Sequence, residues 1–490
     1  MHRHLALAAI VAAALSACTT EVPTTPSMTA VSQSANVAGE SRHMLKFNGG
    51  IPSDLAARVA AAGGTLEHSL DGIRVAVVSG LDASAAASLG AGSVIPDQQF
   101  QFIGEAVGEG ATEAFGADAL DEGQTHANPA AAPAFPRQWH HRAIRADVAW
   151  AAGKRGSASV TVGILDSGID PTYPELVGRI DAARSRNFVN TVANTYLQAI
   201  AFPTMPAWID MNGHGTHVAS TVASNGHTFA GVTQNVTLVA LRVLGHNGSG
   251  STAGVLAGMM YAADNGVDVL NVSLGSAFLK SANPGFVSLI NQAINYANQK
   301  RMTIVVAAGN DNWDLDHNGS GYAAYCDAPH VICVSATGPA NAAGVNGPWT
   351  DVDSRAPYSN YGRSAISFAA PGGTGPLPGN GGLVWAGCSR QILIVSPAQP
   401  TNVIPAPGTV FFHTCSAPAN RNSIFILGNG GTSMASPHVA GLAALLVETE
   451  GKNPGQIANA IKKGADDLGA KGTDPVYGKG RINVARSLGL

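Results

Sequence analysis

Apolar and polar positions along residues 43–102 predict a small unit built separately from the rest of the chain. His43–Asn48 (HMLKFN) alternates with the period of a strand, Ser53–Ala62 has helical spacing, and Gly63-Gly64 marks a turn. Gly72–Val78 (GIRVAVV) predicts a further strand, Ala83–Leu89 an alanine-rich helix, and Ser93–Asp97 leads into a last strand. A β-α-β-β-α-β order of this kind makes a small α+β sandwich. From Gln138 onward the pattern changes. Ser159–Leu165 (SVTVGIL), Thr237–Val243 (TLVALRV), Val267–Val272 (VDVLNV), Thr303–Ala307 (TIVVA) and Val331–Ser335 (VICVS) are almost continuously apolar and are separated by helical stretches. Runs like these imply an α/β fold in three layers, a buried parallel sheet with helices on both faces. In such sheets functional groups gather at the carboxyl ends of the strands.

The segments outside these patterns divide the remaining chain. Residues 1–17 carry a short basic start and an apolar run from Leu5 to Leu15, too short to span a bilayer, and read as an export signal. Leu15-Ser16-Ala17-Cys18 resembles a bacterial lipobox, which would place a lipid anchor on Cys18. Residues 18–42 are rich in Thr, Ser, Pro and Ala and read as a flexible tether, and residues 103–137 lack periodicity and read as a linker. Charged residues make up only 12% of the chain and the net charge is −4, with no basic block. That balance excludes a nucleic-acid partner and an intrinsically disordered chain. Of five cysteines, Cys18 falls at the signal, leaving Cys326, Cys333, Cys388 and Cys415. Four cysteines allow three pairings, of which local spacing favours Cys326–Cys333 and Cys388–Cys415; no C-x-x-C pair suggests zinc.

Four segments place reactive groups at strand ends or helix starts. Val162–Gly168 runs from a strand into Asp166 and a glycine turn. Asn212–Ala219 is a glycine-rich entry to a helix carrying His214. Val305–Asn310 is a buried strand ending in an amide. Gly431–His438 opens an apolar helix with Ser433 near its start and Pro437 assigned to the first turn. The motifs D-S-G-I-D, H-G-T-H-V-A, A-A-G-N and G-T-S-M-A-S-P, in that order, closely resemble those of the subtilisin-like serine peptidases, and the resemblance covers the chain from about Gln138 to the end.

That resemblance implies a subtilisin-like fold and a secreted endopeptidase acting through an acyl-enzyme. Ser433 would be the nucleophile, His214 the general base and acid, Asp166 the group that orients His214, and Asn310 an oxyanion donor beside the Ser433 N–H. Gly248-Ser249-Gly250 and Ser273-Leu274-Gly275 resemble the two edges that pair with extended substrate. Ala307-Ala308-Gly309 would wall a pocket with no charge, which implies a broad, mostly apolar preference. The 43–102 module resembles inhibitor propeptides, so the chain itself would be an intramolecular partner, cut near Phe102–Glu105 and trimmed to a mature enzyme, expected to be a monomer, starting near Gln138. A lipid on Cys18 would then leave with the propeptide.

Other readings are weighed beside these. His217 follows His214 by one helical turn but lacks the H-E-x-x-H glutamate of a metalloprotease, so it is read as structural, and His438 as packing behind Ser433. A lipase would need G-x-S-x-G. No cofactor is expected for catalysis, whereas family members often bind structural calcium. Asp314-Leu315-Asp316-His317-Asn318-Gly319 begins like a calcium loop, but Tyr325 stands where its glutamate belongs; Glu175 is a second candidate. Residues 372–430, containing Cys388 and Cys415, depart from the family pattern and read as a disulfide-closed β insertion.

Overall fold

The computed structural model describes residues 41–101, 111–115, 128–395, 410–420 and 423–490. The export signal, Cys18, most of the tether and the expected cut near Phe102–Glu105 lie outside them.

The N-terminal module has strands Arg42–Lys46, Thr65–Leu70, Val75–Ser79 and Ser93–Pro96 in the spatial order second, third, first, fourth, with all pairs antiparallel. Its two helices are Leu55–Ala61 and Ala83–Ala87. The run Val75–Val78 is apolar at every position because both faces of the sheet are covered. Ala76 and Val78 pack with Leu45, Leu55 and Val59 under the module's own helices. Val75 and Val77 instead join Met44 in the core of the large domain, against helices Thr252–Asp264 and Pro284–Gln299. The docking is also polar: Arg42 pairs with Asp97 at 3.3 Å and bonds to Ser251 at 2.9 Å, and Asp97 accepts the Ala253 N–H at 2.9 Å.

The large domain is built on an eight-stranded sheet. Its central order is Val331–Gly338, Thr303–Ala307, Val269–Val272, Thr161–Asp166, Thr237–Arg242, all parallel. Period-two alternation distributes each strand between two cores. Val162, Ile164, Leu238, Val305 and Val334 face helices His214–Val222 and Thr432–Glu450. Leu165, Leu241, Leu270, Ile304 and Val306 face the two helices on the other side. Disulfides join Cys326 to Cys333 and Cys388 to Cys415.

Two sequence expectations are corrected here. The linker is not featureless: Ala111–Phe115 forms a strand pairing antiparallel with Ile424–Asn429, which also pairs with Val384–Gly387. Glu113 forms an ion pair with Arg137, whose guanidinium lies 5.4 Å from the Phe115 ring. Pro129, Ala132, Ala134 and Phe135 are buried. The insertion is therefore not a self-contained excursion; it recruits a strand from more than 300 residues upstream. Its other hairpin, Leu393–Val395 with Val410–Phe412, is local. The second correction concerns Pro437. The helix begins at Thr432, so Pro437 lies inside it and its missing N–H would have bonded the Ser433 carbonyl.

Candidate active site

Asp166 is the last residue of its strand and fully buried, and His214 is the first residue of its helix. The register of the sheet and the entry angle of that helix bring them together: His214 Nδ1 lies 2.8 Å from Asp166 Oδ1 and 3.0 Å from Oδ2. Glycines permit the approach. Gly168 and Gly213 have φ of 109° and 101°, and a Cβ on Gly215 would lie 2.1 Å from the Gly168 carbonyl oxygen.

A carboxylate that the sequence reading missed holds this corner. Asp210, fully buried, accepts from the Ser167 hydroxyl at 2.8 Å, the Gly213 N–H at 2.8 Å, and the Thr216 N–H and hydroxyl at 2.8 and 2.6 Å. It thus satisfies the free N–H groups at the helix start while Ser167 Oγ accepts the Gly215 N–H at 2.9 Å. An acidic side chain a few residues before a glycine-rich helix entry was the available signal. Burial works to lower the His214 pKa, but the Asp166 charge and hydrogen bond, joined by the Asp210 charge, outweigh it and raise the pKa above the ordinary histidine value.

Ser433 sits in the first turn of its helix, where its N–H has no intrahelical acceptor. Its hydroxyl donates to the Ser273 carbonyl at 3.2 Å; catalytic hydrogen bonds are often unformed in substrate-free sites. The carbonyl of Ser433, orphaned by Pro437, accepts from the Ser273 hydroxyl at 2.8 Å. That hydroxyl also lies 2.7 Å from Ser436 Oγ and accepts from Asn271 Nδ2 at 2.8 Å. Ser273, expected only as a substrate edge, is therefore also what fastens the Ser433 backbone to the sheet.

Asn310 follows strand Thr303–Ala307 and is exposed in the cleft. Its Oδ1 accepts the Thr432 N–H at 2.9 Å and the Thr432 hydroxyl at 2.8 Å, which leaves Nδ2 as a free donor beside Ser433. Asn360, also missed, shapes this loop: its Nδ2 donates to the Ala308 carbonyl at 2.9 Å, and its Oδ1 accepts the Asp311 and Trp313 N–H groups at 3.0 and 2.9 Å. No local pattern announces Asn360, which lies about fifty residues downstream of its partners.

Of the candidate substrate edges, Ser249–Ser251 carries an antiparallel strand of the chain itself. Gln101, Phe100 and Gln99 pair with Ser249, Gly250 and Ser251, and Gly248 (φ 75°) turns into the pairing. Phe100 is 2% exposed and stacks on Phe278, with ring centroids 6.4 Å apart. Leu274, Ala307 and Ala308 are buried, whereas a Cβ on Gly275 would meet open space. Gly309 has φ 100° and donates its N–H to Thr432 Oγ1 at 3.1 Å.

The calcium candidates do not converge. Asp316 accepts the Arg363 and Ser364 N–H groups at 2.6 and 3.0 Å, and Asp314 accepts the Asp316 N–H and faces His317 Nδ1. The Asn318 amide nitrogen has no partner and is itself a donor. Glu175, fully buried, accepts from Ser224 Oγ at 2.7 Å and from the His227 and Thr228 N–H groups. Carboxylates already met by N–H and O–H donors close loops; they do not fit a cation site. His217 Nε2 donates to the Val384 and Leu427 carbonyls at 3.2 and 3.0 Å, and its burial lowers its pKa to about 3.

Comparison with known proteins places this geometry. The Subtilase family model matches residues 157–480. The chain is 31% identical over 340 residues to a thermophilic serine proteinase of Bacillus sp. (strain AK1), an alignment spanning 69% of this chain and 63% of that one. It is 32% identical over 349 residues to subtilisin DY of Bacillus licheniformis, spanning 70% and 94%. Among solved structures, it resembles the epidermin leader peptide processing serine protease from Staphylococcus aureus with a TM-score of 0.61 and 18% identity, over 92% of this chain and 98% of that one. At that identity the likeness is one of fold.

Proposed function

The chain belongs to the subtilase family, and on that premise we propose that it is a secreted serine endopeptidase made as a self-inhibited precursor. The observation carrying this reading is that the helix beginning at His214, bonded to Asp166, packs against the helix whose first turn carries Ser433 and whose Thr432 tethers Asn310. Ser433 Oγ attacks the scissile carbonyl while His214 Nε2 takes its proton; Asp166 holds the Nδ1–H tautomer and stabilises the imidazolium. The oxyanion receives the Asn310 Nδ2–H and the Ser433 N–H. His214 then protonates the leaving amine, and water repeats the sequence in reverse to release the acyl group from Ser433.

Extended segments of unfolded or loop substrate add as a strand to Ser249–Ser251, with Ser273-Leu274-Gly275 on the opposite edge. The burial of Leu274, Ala307 and Ala308 and the Phe100 contact support an apolar preference. The module at 43–102 occupies the Ser249–Ser251 edge with its own tail and so acts as the intramolecular inhibitor. Its removal requires a cut between Gln101 and Ala111. We place the mature N-terminus in that interval rather than at Gln138, because trimming to Gln138 would strip a paired strand and remove the buried Phe135 that packs on Trp150. A lipid on Cys18 would leave with the released fragment.

The test is intact mass and N-terminal sequencing of the wild-type chain beside Ser433→Ala, with casein hydrolysis as activity. A wild type that starts between residues 102 and 111 and cleaves casein, beside a full-length inactive variant, is the expected result. A Ser433→Ala chain that processes itself equally would overturn it.

A further inference from the structure

Three buried histidines that the catalytic scheme does not use form a cluster behind the nucleophile's helix. His140 and His141 lie on the short helix Trp139–Ala143, His438 on Thr432–Glu450, and all are fully buried. One ring nitrogen from each lies within 4.8 Å of the others. The ring centroids of His140 lie 4.3 Å from His141 and 5.0 Å from His438.

Hydrogen bonding determines which nitrogens hold lone pairs. His438 Nδ1 lies 2.8 Å from the Met434 carbonyl and His141 Nε2 lies 2.8 Å from the Ala230 carbonyl, so both must donate there. The lone pairs of His438 Nε2 and His141 Nδ1 are then left for the cluster. His140 Nδ1 stands 2.8 Å from His438 Nε2. If it carries the proton of that bond, His140 Nε2 and His141 Nδ1 remain as buried acceptors, and neither has a hydrogen-bond partner. Two orphaned acceptors in an apolar core are costly.

We propose that His140 Nδ1, His141 Nδ1 and His438 Nε2 hold a d10 transition-metal ion taken up as the chain folds. Bonds of about 2.0–2.1 Å to three imidazoles require nitrogen separations of about 3.4–3.6 Å; the cluster's closest pair stands at 2.8 Å and all its ligand atoms lie within 4.8 Å of one another. Metal binding shifts the His140 proton to Nε2, the nitrogen that has no partner among the described residues. The remaining N–H groups of His141 and His438 already address the Ala230 and Met434 carbonyls, the outer arrangement that fixes tautomer and ring orientation in histidine metal sites. Among the described residues no carboxylate is one of the groups that act most strongly on the three rings, and Arg142 adds positive charge beside His141. Because the cost of burying an ion rises with the square of its charge, copper(I) is favoured over zinc(II). Such an ion would staple the Trp139–Ala143 segment to the helix that carries Ser433.

The test uses the full chain carrying Ser433→Ala, which prevents self-digestion. It is unfolded in chelator and refolded separately with cuprous ion under ascorbate and with zinc chloride. After gel filtration, metal content and melting temperature are measured, and X-ray absorption reports the ligands. The expected result is one equivalent of copper, a raised melting temperature and a three-imidazole absorption signature. In His141→Asn and His438→Gln the retained metal should fall at least tenfold. One equivalent of zinc instead supports the site and overturns only the charge argument. No retained metal in the Ser433→Ala chain, or a signature of oxygen or sulfur ligands, overturns the proposal without relying on a variant that must fold.

Discussion

The two halves of the cleft solve the same positioning problem with opposite chemistry. Around His214 the frame is ionic: Asp166 and Asp210 are both fully buried and both act on the imidazole. Around Ser433 the frame is neutral, made of Ser273, Ser436, Thr432, Asn310 and Asn360 joined through hydroxyls, amides and backbone groups. The ionic half tunes a proton equilibrium. The neutral half keeps its geometry at any pH, and holds a proline in the nucleophile's helix by supplying the missing hydrogen bond from another element. Perturbing the first should therefore move a pH profile, and perturbing the second should change rate or stability without moving it.

The largest effect expected is at the junction of the halves. Ser433→Ala should lower kcat on the order of 10⁶-fold with the fold intact, read by casein hydrolysis and thermal melting. Asn310→Ala should lower kcat roughly 10²–10³-fold with little change in KM, because its amide meets charge only in the transition state. Its acid limb should stay where the wild type's is, and a shifted limb would break the comparison.

Asp210→Asn tests the ionic half. Weakening charge-assisted bonds to Ser167, Gly213 and Thr216 should cost about 2–3 kcal/mol in denaturant unfolding. Because the Asp210 charge raises the His214 pKa, removing it should move the acid limb of kcat/KM to lower pH. Ser273→Ala should cost about 1–3 kcal/mol by leaving the Ser433 carbonyl unpaired, with the pH profile unmoved. Adding Pro437→Ala to that variant restores an N–H in the helix and should recover part of the loss, a coupling that a double-mutant cycle measures.

The smallest prediction concerns stability against pH. His217 and His438 are buried, and burial holds their pKa values near 3 and 4. The unfolded chain binds protons at these histidines below about pH 6.5, while the folded chain does so only near pH 3–4. Their contribution is thus complete above about pH 6.5 and declines as pH falls toward 4. His438→Gln should flatten that decline, measured as melting temperature between pH 4 and 7 in chelator.

Much of this architecture could be read from local pattern. The nearly continuous apolar runs in Thr237–Val243 and Thr303–Ala307 reported strands buried on both faces, and the two disulfides join cysteines near in sequence. The calcium loop could be read only as a candidate because D-x-D-x-N-G is equally a chain of carboxylates closing turns, as Asp314 and Asp316 do. The linker failed because Ala111–Phe115 has little apolar pattern of its own and becomes a strand only when Ile424–Asn429 offers it an edge.

By itself, the sequence determined which residues are candidates for the site, since Asp166, His214, Asn310 and Ser433 sit in contiguous motifs whose glycines and helix starts are local requirements. Only the tertiary structure decided how those groups are held. Asn360 reaches back some fifty residues, Ser273 reaches forward 160 to the Ser433 carbonyl, and His140 meets His438 across 298. Periodicity reports which face of an element is buried. It carries no information about which distant polar group will satisfy a backbone carbonyl, because that is settled by how the layers pack.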